Sequence, residues 1–128
     1  MTNATRVRLV AVLLLAGCAT AYQASTVAVK TGGVAYQAFL RYDGERELAI
    51  ARAVIAGCKT APDPPSCMDH DLAAERAKYD AVKAPVVRAI VAYRSALKSA
   101  DAGLAGDLPR AVADLISALA AIGVEVPR

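Results

Sequence analysis

Residues 59–66 (KTAPDPPS) carry Pro62, Pro64 and Pro65 and are bracketed by Cys58 and Cys67. Proline removes a backbone donor and restricts the residue before it, so this stretch predicts an extended, turning connection that no helix crosses. Apolar residues recur at helical spacing on both sides of it. A chain divided in this way is expected to fold as a helix, a reversal and a second helix. Composition agrees: 56% of residues are hydrophobic but only 5% aromatic, and there is no Trp. Alanine supplies most of that difference and favours closely packed helices over sheets. At 128 residues the chain is one domain at most.

Before the loop, Leu40, Gly44, Leu48, Ala51, Ile55 and Cys58 fall at steps of 4, 4, 3, 4 and 3, one face of a helix and the expected buried stripe. Arg41, Asp43, Glu45, Arg46 and Arg52 lie off it. Gly44 lies on it, which predicts close approach of a second backbone there. After the loop, Asp69 or Asp71 is expected to cap a helix whose stripe is Leu72, Tyr79, Val82, Val86, Ala89/Ile90, Tyr93 and Leu97. Pro85 interrupts that pattern and predicts a kink near 81–85 or two abutting helices. A third helix is predicted from Asp107, with Pro109 in its first turn and Leu108, Val112, Leu115, Leu119 and Ile122 on one face. Gly123 is its expected C-cap, and residues 124–128 a short tail. Residues 18–33, ending in Gly32 and Gly33, read as a tether or a weak helix, and residues 34–128 as the helical domain.

The N-terminus begins with a polar stretch containing Arg6 and Arg8, followed by the apolar run 9–16, then Gly17 and Cys18. That run is too short to cross a bilayer, which takes roughly 20 residues, and suits the core of an export signal. Leu15, Ala16, Gly17 and Cys18 resemble the lipobox of bacterial lipoproteins at every position. The resemblance implies cleavage between Gly17 and Cys18, acylation of Cys18, and removal of residues 1–17 as a signal peptide. Two or three acyl chains would anchor the product stably where one would not. Ala19, in place of the Asp that retains some lipoproteins at the inner membrane, points to the outer membrane with the domain facing the periplasm. An ordinary signal peptide cut after Ala19 or Ala21, with Cys18 lost, and an uncleaved N-terminal helix are the alternatives.

With Cys18 given to lipid, Cys58 and Cys67 remain as an even pair in an oxidising compartment, and are expected to form a disulfide. The fold class that follows is all-α: a disulfide-closed antiparallel helical hairpin with a shorter third helix laid against it. The rival reading gathers Cys58, Cys67 and His70, with Asp69 and Asp71, around a metal ion, but the Cys-x8-Cys-x2-His spacing fits no standard zinc module.

Charge narrows the partners. The formal charge of +3 falls to +1 once Arg6 and Arg8 are removed, no footprint of nucleic-acid binding. His70 is the only histidine, reads as a solvated residue at a helix start, and has no nucleophile to serve. Tyr36, Tyr42, Tyr79 and Tyr93 read as core or rim packing. Arg76, Lys83, Arg88, Arg94 and Lys98 are spread around the second helix and read as a solvated face.

The expectation is therefore a non-enzymatic lipoprotein, with no cofactor beyond the covalent lipid, held to the membrane and contacting another envelope protein. A carrier of a small apolar ligand, lodged in gaps at Gly44 and Pro85, is the second reading. Pilotins and the small lipoproteins of phage clusters are similar in size or layout. Murein-linked lipoproteins are similar in anchor, but they attach through a C-terminal Lys where this chain has Arg128.

Overall fold

The computed structural model describes the backbone of residues 3–101 and 105–127, and the side chains of residues 26–100 and 106–127. Its elements are α1 (Asn3–Cys58), α2 (Pro64–Asp101) and, after a 3-10 turn over Ala105–Asp107, α3 (Leu108–Ala121). Helices α1 and α2 form an antiparallel hairpin closed by a Cys58–Cys67 disulfide with a Cα–Cα separation of 5.7 Å. Helix α3 packs against both. The expected all-α hairpin plus third helix is the fold.

The prolines act differently from expectation. Pro64 and Pro65 open α2 rather than holding the chain extended. Their missing N–H groups fall in the first turn, where no intrahelical acceptor exists, so proline is tolerated there. The Cys67 amide donates to the Asp63 carbonyl at 3.1 Å, the first regular helical bond. Asp69 and Asp71 are consequently inside the helix and cap nothing. Pro85 is exposed, and α2 runs through it as one unbroken helix, not two abutting ones.

Burial on α1 also departs from the expected stripe. Leu40, Leu48 and Ile55 are 44%, 50% and 53% exposed. The face turned inward carries Ala28, Gly32, Ala35, Phe39, Ile50, Val54 and Cys58, with Asp43 and Glu47 along its middle. Two apolar faces run along α1; over residues 39–58 the inward one carries Phe39, Ile50, Val54 and Cys58 and the outward one Leu40, Leu48 and Ile55, while the small buried residues Ala28, Gly32 and Ala35 lie nearer the N-terminus. The close approach is at Gly32, not Gly44. A Cβ on Gly32 would overlap the ring of buried Tyr93, whereas one on Gly44 would meet nothing within 4 Å. The bundle therefore takes in Ala28 and Gly32, and helix, not tether, is the state of residues 26–33.

Helix α3 matches its pattern closely. Leu108, Val112, Leu115 and Leu119 are buried, Ile122 partly so. Asp107 occupies the N-cap position but makes no side-chain capping bond. Gly123, at φ 82°, supplies the left-handed residue that ends the helix. The amides of Gly123 and Val124 donate to the carbonyls of Ala120 (3.0 Å) and Leu119 (2.9 Å), a Schellman closure. Val124 is buried beside Leu119, so the tail begins as part of the core.

Candidate functional site

Three places in the molecule gather chemistry. The first is the hairpin end. Cys58 is fully buried, Cys67 partly, and Asp71, one turn beyond Cys67, sets Oδ2 3.5 Å from Cys58 Sγ and 3.6 Å from Cys67 Sγ. These three donors lie within 4.8 Å of one another. The sulfurs are bonded to each other, so neither is a thiolate free to ligate. His70 projects into solvent, its Nδ1 3.1 Å from Asp71 Oδ1, and Asp69 is exposed. The expected site residues Cys58 and Cys67 are thus brought together as a covalent staple. Gly17 and Cys18 fall in the backbone range of α1, but their side chains lie outside the described residues.

The second place is a polar belt across the middle of the α1–α2 interface. Lys83, whose side chain is 18% exposed, sets Nζ 3.0 Å from Asp43, 3.5 Å from Asp80 and 3.6 Å from Glu47. Its ammonium also lies 4.6 Å from the centre of the Tyr79 ring. The Tyr79 hydroxyl donates to Asp43 at 2.9 Å, and Arg76 reaches Glu47 at 3.3 Å. Burial, then the bond to Asp43, pushes the Tyr79 hydroxyl far above its usual range. For Lys83 burial works against the charge, but the bonds to Asp43 and Asp80 outweigh it and its pKa rises. Both groups hold their protons at neutral pH, and the belt pairs one ammonium with three carboxylates. Lys83 is the exception to the solvated basic face. No periodicity marks this belt in the sequence; the i, i+4 spacing of Asp43 and Glu47 is its only trace.

The third place is an open groove of about 620 Å³ between α1 and the C-terminal segment. Val34, Ala38, Tyr42, Val124 and Pro127 line it, with Lys30, Arg41 and Glu45 at its edge. The space expected beside Gly44 and Pro85 is not there, since both face solvent. Among the described residues no helix is long and apolar enough to cross a membrane.

Fold and site together define a small, disulfide-closed three-helix bundle with a charge-paired interior belt. Comparison with protein-family models, with curated proteins and with solved structures finds no match for the chain.

Proposed function

We propose that this protein is a lipid-anchored envelope protein, acylated at Cys18 and cut after Gly17, whose helical domain faces the periplasm and acts by contact with another envelope protein rather than by catalysis. The observation that carries the reading is the four-position likeness of Leu15, Ala16, Gly17 and Cys18 to the lipobox, behind a charged start and a short apolar run. Helix α1 supports it mechanically. From Cys18 to Ala28, the first buried residue among those whose side chains are described, is ten residues of one helix, roughly 15 Å at 1.5 Å per residue. An anchor at Cys18 would hold the bundle at a short, stiff distance from the bilayer, and Ala19 favours the outer membrane. The domain's contact surface would be a helix face. Radiolabelled palmitate should enter the wild-type protein and vanish in Cys18→Ala; label that persists in the variant sinks the reading.

A second reading, carriage of a small apolar ligand, is favoured by the groove at Val34 and Val124. Titration with a fluorescent fatty acid would show saturable binding that Ala38→Trp removes. Absence of saturation discards it.

A further inference from the structure

We propose that the exposed face of α1 carrying Leu40, Gly44, Leu48, Ala51 and Ile55 is a two-fold interface for a second copy of this chain, the two α1 helices running antiparallel and crossing at Leu48. Three observations carry it. The first is exposure: Leu40, Leu48 and Ile55 share one helix face, and each is close to half exposed. The second is the order of sizes. Reading along the face gives large, small, large, small, large, and the order is symmetric about Leu48, with Gly44 and Leu40 at 4 and 8 residues before it and Ala51 and Ile55 at 3 and 7 after. A two-fold axis at Leu48 sets Leu40 against Ile55 of the second copy and Gly44 against Ala51 of the second copy. Such self-complementarity is what an isologous contact requires. Gly44 gains a reason it lacks within the single chain, where a Cβ would meet nothing and glycine only weakens the helix.

The third observation is charge. Glu45 and Arg52 are exposed on the same flank of this face, 3 residues before and 4 after Leu48, and neither is paired to another described residue. The two-fold brings Glu45 beside Arg52 of the second copy, twice over. A parallel two-fold would carry this flank to opposite sides of the contact in the two copies, leaving Glu45 and Arg52 without each other, so only the antiparallel arrangement pairs these charges. At 100° per residue the face lies about 80° around α1 from Ile50, Val54 and Cys58, which pack on α2. The second copy's α1 would thus stand beside α2 at the corner of a square, as in a four-helix bundle. The patch covers roughly 22 Å of helix, less than a standard interface, and a dimer of micromolar or weaker affinity is expected. Under the lipid-anchor reading the two Cys18 residues would lie at opposite ends, roughly 90 Å apart. Pairing would then join copies held on facing surfaces, or lay both helices flat along one.

The test is cysteine crosslinking of the full chain in mild detergent, read on non-reducing gels with the Cys58–Cys67 bond verified by peptide mapping. Leu48→Cys should link to itself. Leu40→Cys should link to Ile55→Cys when the two variants are mixed, but not to itself, and exposed Ala77→Cys should stay monomeric. Glu45→Arg and Arg52→Glu should each weaken dimerisation several-fold at low salt, and the double reversal should restore it. All these sites are exposed, so unchanged circular dichroism separates lost pairing from lost folding. A monomer from micromolar to millimolar concentration overturns the proposal. So does self-linking of Leu40→Cys as readily as Leu48→Cys, or a Leu48→Cys crosslink made only to a different protein.

Discussion

The two ends of this bundle are held together in different ways. At the end where α3 joins, thirteen buried apolar residues from three helices and the tail form one core, including Phe39, Val86, Tyr93, Leu108, Leu115 and Leu119. At the hairpin end only Ile50, Val54, Cys58 and Tyr79 are buried, backed by Met68 and Leu72 and closed by the disulfide. The charged belt of Lys83, Asp43 and Glu47 lies between them. A two-helix layer cannot exclude enough water to stand on burial alone, which is the condition under which covalent staples appear in small domains. Where a third helix arrives, packing replaces the bond.

That contrast can be broken most forcefully at Leu115, which is fully buried. Leu115→Ala should lower unfolding free energy by about 2–5 kcal/mol in urea titrations, through lost transfer and a residual cavity. A comparable loss from Ile55→Ala, on the exposed face, would contradict the assignment of faces on α1. Next in size is the staple. For a loop of roughly ten residues, chain entropy gives about 3 kcal/mol, so Cys58→Ser/Cys67→Ser should lower the unfolding free energy by that amount while leaving helicity at the three-helix end.

The belt is worth less. Tyr79→Phe removes one hydrogen bond to a carboxylate that still holds Lys83, and should cost about 1–2 kcal/mol at neutral pH. The same variant sharpens the pH dependence. Both Tyr79 and Lys83 have raised pKa values in the fold, so their contribution is complete below pH 10 and fades as pH rises through the folded values. Wild-type stability should therefore fall in the alkaline range, and the slope should be shallower in Tyr79→Phe. The smallest expected effect is His70→Ala, within about 0.5 kcal/mol, because the ring is 84% exposed.

The same division governs what could be read in the sequence. Helix α3 was legible to its last cap because large aliphatic residues mark its single buried face and Gly123 marks its end. The α2 stripe was legible apart from Val82, which is 52% exposed. In its place the inward position belongs to Lys83, a polar residue that no hydrophobic period can announce. On α1 the pattern had two solutions. Hydrophobic spacing selected Leu40, Leu48 and Ile55, but packing selected Phe39, Ile50, Val54 and Cys58, a face whose period is interrupted by Asp43 and Glu47 and so reads less regularly in the sequence. The loop prolines were ambiguous for a similar reason: Pro64 breaks a helix from within yet begins one well. At the candidate site, the disulfide is expected from the even count left once Cys18 is assigned to lipid, together with the proposed export. The Asp71 carboxylate beside it and the Asp43–Lys83 pairing arise from contacts 4 to 40 residues apart and had no local signature.

Native-state hydrogen exchange on the oxidised and reduced protein decides whether burial holds one end of the bundle and the disulfide the other. Reduction should speed exchange in the amides around Ile50, Val54 and Tyr79 by about a hundredfold, a change on the order of the staple's 3 kcal/mol. Amides around Val86, Leu115 and Leu119 should change far less, opening by a route that leaves the reduced end untouched. Equal acceleration at both ends would show one cooperative unit and contradict the division.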